Sequence, residues 1–195
     1  MRIFVGIDLP KDLKEKIFEV SQKVAKQIPL RLVTKENLHL TLVFLGIKTD
    51  EETERIKKAV SEATSGLEKL SLTLENLEFF PASRPRGIWF KIGGETEKLR
   101  TLHKKIIDAL FRNGIKVEDL RFTPHTCVGR FKGGRTEDRG RKIDAGRQRT
   151  EDRKKIGEIN FGEKFTAEKV TVFESKLSSK GPTYLKLGEF SLKLT

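Results

Sequence analysis

One pattern occurs twice along this chain, and it restricts the fold more than any other feature. IFVGI begins at Ile3 and IWFKI at Ile88, and each is followed by an amphipathic segment and then by a strand-like run carrying a histidine. Ile3 to His39 is 39 − 3 = 36 residues, and Ile88 to His125 is 125 − 88 = 37. HLTLVFLG therefore falls opposite HTCVGRFKG at an offset of 125 − 39 = 86. Few residues are identical between the halves, so the repeat is one of element order and spacing. It predicts two strand–helix–strand lobes, about 1–85 and 86–195, related by duplication. The expected class is α+β: a bilobal domain of two mainly antiparallel sheets flanked by helices around a central cleft, with terminal strands free to exchange between lobes.

Apolar spacing of three and four predicts helices from Pro10 to about Gln27 (Leu13, Ile17, Val20, Val24) and from a Thr49 or Asp50 cap to near Gly66 (Ile56, Val60, Ala63). A third runs from about Thr96 to Arg112 (Leu99, Leu102, Ile106, Leu110), with Gly114 just past its end. Strands are expected at Arg2–Ile7, at Leu70–Leu77, at Gly87–Ile92, at Glu168–Glu174 and at Tyr184–Leu194, besides the two histidine strands. LRLV is a short apolar piece before the first of these.

Alternation along NLHLTLVFLG puts Leu38, Leu40, Leu42 and Phe44 on one face and His39, Thr41 and Val43 on the other. In RFTPHTCVGRFK, Phe122, Thr126 and Val128 point one way, while Thr123, His125, Cys127 and Gly129 point the other. A single His and Thr could simply satisfy one another as buried polar groups. The chain has three histidines, however, and two sit on such strands with a small polar or polarisable side chain at i+2. If the lobes pack about a pseudo-twofold axis, both polar faces line the groove between them.

Charge narrows the partner. Lys and Arg number 40 against 28 Asp and Glu, which favours a polyanion. Segment 132–160 holds ten Lys or Arg, six Asp or Glu and five Gly, and reads as a basic insertion or flap with a short helix from Gln148 to Ile156. It is either a tolerated surface insertion or a gatherer of phosphates beside the His125 strand. No apolar run approaches the ~18–20 residues of a membrane span, and the N-terminus becomes charged too soon for a signal peptide. One cysteine excludes a disulfide framework and suits a reducing cytoplasm. The His and Cys are too few and scattered for a structural zinc site, so neither metal nor cofactor is expected.

Two imidazoles facing one another suit concerted acid–base chemistry near neutral pH, one taking a proton from the attacking group while the other gives one to the leaving group. A phosphodiester needs that help and donors for its non-bridging oxygens. Thr41 is one such donor.

At these residues a resemblance becomes specific. His39-Leu40-Thr41-Leu42 resembles the His-x-Thr-x motif of the two-histidine phosphoesterase superfamily. RIFVGIDLP, NLHLTLVFLG, the Pro-Arg-Gly-Ile-Trp strand, PHTCVGRFK and KGPTYLKL together resemble its bacterial and archaeal RNA 2′,3′-cyclic phosphodiesterase branch, also called 2′–5′ RNA ligases, over nearly the whole chain. The resemblance implies metal-free opening of a 2′,3′-cyclic phosphate at an RNA end to a 2′-phosphate, with 2′–5′ ligation as the reverse. It implies His125 as proton acceptor for water, His39 as proton donor to the 3′-oxygen, and Thr41, Cys127 and Arg130 at the phosphate. The partner is then an RNA end, a tRNA fragment among the candidates, acted on by a cytoplasmic monomer. A basic RNA-binding module without catalysis is the alternative.

The second motif departs from the family, with Cys127 where Thr is usual. A thiol is a weak donor, and Thr123 is the substitute on the same expected face. Cys127 as a nucleophile is the lesser alternative, since i+2 on a strand points beside His125 and not toward it. Strict alternation aims Arg130 away from His125, so a bulge or the strand end must turn it inward. Phe131 shares the parity of His125 and, with Tyr184, is a candidate for base stacking. Phe44, Phe79, Phe80 and Trp89 are assigned to the core, and His103 to a surface or boundary position without a role.

Overall fold

The computed structural model describes residues 1–80, 86–131, 156, 159, 161–179 and 181–193. The basic segment 132–160 and its expected helix therefore lie outside the described residues, except for Ile156 and Ile159. Ile156 is buried in the main core.

The first strand, β1 (Arg2–Asp8), is central in its sheet, paired on either side, and is apolar on both faces: Ile3, Phe4, Val5 and Ile7 are all buried. Helix α1 (Lys11–Ala25) follows Pro10, whose fixed φ suits a helix entry. It buries Leu13, Ile17 and Val24. A short strand, β2 (Leu30–Leu32), and a single 3₁₀ turn, Lys35–Asn37, lead into β3 (His39–Ile47). Helix α2 (Asp50–Thr64) is capped by Thr49, not Asp50. The Glu52 amide donates to Thr49 Oγ1 at 3.1 Å, and the Thr49 amide donates to Glu52 Oε2 at 2.9 Å.

The second half runs β4 (Leu70–Phe80), β5 (Gly87–Gly94), α3 (Thr96–Arg112) and β6 (His125–Phe131). Helix α3 buries Leu99, Leu102, Ile106 and Leu110, and ends before Gly114, whose φ of 72° is the left-handed value that stops a helix. Three further strands, β7 (Glu163–Ala167), β8 (Lys169–Ser178) and β9 (Gly181–Ser191), complete the order. β7 has no counterpart among the expected strands, because EKFTA is too short and polar to show a period. β9 starts earlier than its apolar content suggested.

Two antiparallel sheets result, in orders β3-β1-β8-β9 and β2-β6-β5-β4-β7. The α+β expectation holds. β1 and β3 lie in the first sheet, and β5 and β6 in the second. β2 leaves its sequence neighbours to pair with β6, and β8 extends the first sheet from β1. Leu40, Leu72, Leu74, Phe90 and Ile106, all fully buried, belong to one continuous core. Each such side chain contributes on the order of 1.5–3 kcal/mol on burial. Although they belong to different sheets, β3 and β6 come into contact, and the two histidine strands meet there.

Candidate active site

Both histidine strands are interrupted at the same place. On β3 the pairing with β1 runs Gly6 to Thr41 and then Val5 to Val43, leaving Leu42 as a bulge. On β6 the pairing with β5 runs Trp89 to Cys127 and then Ile88 to Gly129, leaving Val128 as a bulge. Each bulge is the third residue after a histidine. Two consecutive buried residues mark each one, Leu42 with Val43 and Val128 with Gly129. A bulge reverses alternation beyond it, so the residue five after each histidine, Phe44 or Arg130, joins the histidine face.

Several expectations are corrected by this geometry. Phe44, assigned to the core, is 68% exposed, while Val43, assigned to the polar face, is buried in the core. Phe131 goes the other way. Its ring stacks on the buried Phe79 at 5.7 Å between centroids, and it packs against the core instead of standing beside His125. Phe80 is 42% exposed, because a bulge in β4 between Leu74 and Leu77 precedes it and Phe79 takes the core-facing position. Trp89 is buried as expected, yet it lies against His125, at 3.9 Å between centroids, and stacks on Phe80. His103 is buried against Phe122, with the rings stacked at 4.4 Å, and not at the surface.

His39 is half-buried among aromatic rings. Phe4 lies 4.9 Å away and Tyr184 stands edge-on at 5.1 Å. Its Nδ1 is 2.7 Å from the Asn37 carbonyl oxygen. A carbonyl only accepts, so Nδ1 carries the hydrogen, and Nε2 of the neutral ring accepts from Thr41 Oγ1 at 2.8 Å. His39 and Thr41 thus satisfy each other in this state. Asn37 also donates from Nδ2 to the Pro182 carbonyl at 2.6 Å, which ties the start of β9, and with it Tyr184, to the site. Beneath the pair, Gly6 leaves necessary room: a Cβ there would lie 2.7 Å from the Leu40 carbonyl oxygen.

Burial is the largest influence on the His39 pKa and lowers it to about 4, aided by the positive charges of Lys14 and His125. That His125 is felt at all places the two imidazoles within electrostatic reach. Asp8, opposite His39 in register, is gripped by Lys14 at 2.5 Å and Lys186 at 2.7 Å. Burial pushes the Asp8 carboxyl up, but the two lysines outweigh it and hold the group below its ordinary range. Composition and spacing gave no sign of this trio, which forms only when β1, α1 and β9 converge.

His125 repeats the arrangement of His39. Its Nδ1 donates to the Thr123 carbonyl at 2.7 Å, again two residues upstream, so Nε2 is again the nitrogen left to react. Burial lowers its pKa as well. Where His39 rests on Phe4, His125 rests on Trp89, and these aromatics follow Ile3 and Ile88, the matched first residues of the repeat. Cys127 makes no hydrogen bond to His125. Its thiol is pushed up by burial, with Arg130 close enough to oppose that shift by charge and hydrogen bond. Such a thiol is poorly suited to nucleophilic attack. Arg130 also acts on the hydroxyl of Tyr184, which burial pushes up. Thr123 precedes β6 and is exposed, so the strand face on which it was expected starts only after it.

Residues 3–192 match the model of the AKAP7 2′5′ RNA ligase-like domain family. An RNA 2′,3′-cyclic phosphodiesterase of Methanocaldococcus jannaschii is 32% identical over 191 residues, covering 97% of this chain and 100% of the relative. One of Archaeoglobus fulgidus is 30% identical, covering 97% and 99%. The fold is similar to that of TT0787 of Thermus thermophilus, with a TM-score of 0.79, 23% identity and coverage of 100% and 99%. It is also similar to E. coli LigT complexed with 3′-AMP, with a TM-score of 0.74, 21% identity and coverage of 98% and 97%.

Proposed function

Because the chain belongs to the AKAP7 2′5′ RNA ligase-like domain family, we infer that it opens 2′,3′-cyclic phosphates at RNA ends to leave a 2′-phosphate. The observation that carries this reading is the pair of equally built imidazoles. Each has Nδ1 fixed on a carbonyl two residues upstream, leaving Nε2 to act, and the two strands meet between the sheets. A mere RNA-binding groove has no need for two oriented histidines.

In this reading His125 Nε2 takes a proton from water as the water oxygen attacks phosphorus. The bond from phosphorus to the 3′-oxygen breaks, and His39 Nε2 gives its proton to that oxygen. In the free protein His39 is neutral at pH 7 and holds the Thr41 hydroxyl. The anionic phosphate favours the imidazolium and draws the Thr41 hydroxyl to a non-bridging oxygen. Arg130 and Cys127 hold the phosphate from the other strand. Tyr184 closes the His39 side. A 5′-hydroxyl in place of water turns the same steps into 2′–5′ ligation. Two lobes of one duplication supply the two halves, a reading supported by the bulge at the same position of each motif.

Imidazoles serve as both acid and base here, so the reaction needs no metal. The excess of Lys and Arg over Asp and Glu suits an RNA end, a tRNA fragment among them, and the lone cysteine suits a reducing cytoplasm, where we take the protein to act as a monomer. Among the described residues no helix is long and apolar enough to cross a membrane. The test is a short RNA ending in 2′,3′-cyclic phosphate, incubated in EDTA, with the product phosphate mapped. Turnover to a 2′-phosphate is expected. Loss of activity on chelation with recovery on adding a divalent metal contradicts the two-histidine mechanism, and no turnover at all favours the RNA-binding alternative.

A further inference from the structure

Building on the function proposed above, we propose that Arg31 holds the backbone phosphate next to the cyclic one, on the 5′ side of the terminal nucleotide. The site would then recognise the end of a chain and not a lone nucleotide. Arg31 is the middle residue of β2, the three-residue strand that pairs with β6 at the edge of the second sheet. In that pairing Leu30 lies opposite Phe131, Arg31 opposite Arg130 and Leu32 opposite Gly129. Residues directly opposite in an antiparallel pair share a face, with Cβ atoms ~5 Å apart. Leu30 and Phe131 turn to the core, so Arg31 and Arg130 turn together to the histidine face, and both are exposed. The register is pinned at the bulge itself, where the Val33 amide donates to the Val128 carbonyl at 2.9 Å.

Like charges directly opposite one another on two strands are destabilising. Among the described residues neither guanidinium has a carboxylate in an ion pair. An arrangement that costs stability and finds no counter-charge within the protein suits an anion from outside. On the other flank of Arg130, β5 presents Gly87, where a Cβ would collide with the Gly129 carbonyl oxygen. Positive charge on this face is therefore continued from Arg130 on the β2 side. A cyclic phosphate carries one negative charge, which Arg130 can match. The second guanidinium is left for a second phosphate one nucleoside away, and in RNA that is the phosphodiester on the terminal 5′-oxygen. The planar fork of arginine suits such a group, pairing two N–H donors with two phosphate oxygens. A phosphate contact carries no base information, so this subsite reads the continuity of the chain and not its sequence.

The experiment compares two dinucleotides ending in 2′,3′-cyclic phosphate, each with a deoxyribose upstream so that the linkage is inert. They are identical except that the linkage is a phosphodiester in one and an uncharged methylphosphonate in the other. The native protein should favour the phosphodiester in kcat/KM by about tenfold, as for a hydrogen bond to a charged group. Arg31→Ala and Arg31→Gln should bring that ratio close to one, by raising KM for the phosphodiester toward its value for the methylphosphonate. Arg31→Lys should keep part of the preference, because the charge remains. The log–log salt dependence of kcat/KM for the phosphodiester should flatten by about 0.7 in Arg31→Ala, the change expected for one lost contact to a single strand. Because the side chain is exposed, truncation leaves no core cavity. Equal native rates on the two dinucleotides, or a preference that survives Arg31→Ala, overturns the proposal. So does a loss that falls equally on both substrates, which would place Arg31 on the cyclic phosphate or in the fold. Failure of the native protein on both dinucleotides would instead refute the hydrolase reading itself.

Discussion

β3 and β6 are two solutions built to one plan. Each places a histidine on an aromatic ring, fixes Nδ1 on a carbonyl two residues back and bulges at the third residue beyond. They differ in what the plan carries: Thr41 against Cys127, and Phe44 against Arg130. They differ also in charge. His39 has Asp8, Lys14 and Lys186 beside it, whereas His125 has Trp89 and Phe80. The backbone device is thus shared and fixes where the two reactive nitrogens sit. The side chains hung on it are free to diverge, and under the function proposed above they would give the two halves unlike tasks.

Breaking either histidine should have the largest effect. His39→Ala and His125→Ala are each expected to lower turnover by ~10²–10⁴ with little change in RNA affinity. The double variant should be far less than multiplicatively worse, because both groups act in one step. A single variant with near-native turnover would remove that residue from the chemistry.

The buried imidazole also carries a stability signature. With a folded pKa of about 4 against an ordinary 6.5, His39 is neutral in the folded chain while the unfolded chain takes up a proton between those values. The unfolded state binds more protons there, so stability falls as pH drops from about 6.5 to about 4, by roughly 3 kcal/mol from this group alone. Denaturant melts of the native protein and His39→Asn across that window should show the native loss and a flatter dependence in the variant. Parallel curves would remove His39 as the cause.

Arg130→Ala should cost roughly 1.5–3 kcal/mol in transition-state binding, the usual range for a hydrogen bond to a charged group. Steady-state kcat/KM measures it. An unchanged value would mean that the bulge at Val128 does not serve the phosphate. Smaller still, Cys127→Ala should cost about 0.5–1.5 kcal/mol, while Cys127→Thr should maintain or raise turnover, since a hydroxyl is the better donor. A folded but inactive Cys127→Thr protein would revive the thiol as nucleophile.

Much of the architecture was legible because repeated apolar periods survive without sequence identity. The third helix begins and ends where Leu99, Leu102, Ile106, Leu110 and Gly114 place it. The histidine strands were legible through the scarcity of histidine. Misplacement began at the bulges: parity carried past Leu42 sends Phe44 to the core and Val43 to the cleft, and carried past Val128 sends Phe131 to His125. A bulge depends on pairing with a neighbouring strand, which local alternation does not encode. The need for some irregularity was nonetheless visible, because strict alternation aims Arg130 away from His125 unless a bulge or the strand's end turns it; the structure uses a bulge, at Val128. The charged trio at Asp8 was invisible for a related reason, since its members lie far apart in sequence and meet only through tertiary packing.

The claim that the two strands hold unlike proton roles is tested most directly by following the His39 and His125 ring signals by NMR, with and without a slowly hydrolysed substrate analogue, adenosine 2′,3′-cyclic phosphorothioate. Without ligand, His39 should stay neutral down to about pH 4. With the nucleotide bound at pH 7, His39 should take up a proton at Nε2 while His125 remains neutral. A bound state in which His125 is protonated and His39 is not would exchange the two roles and contradict the account.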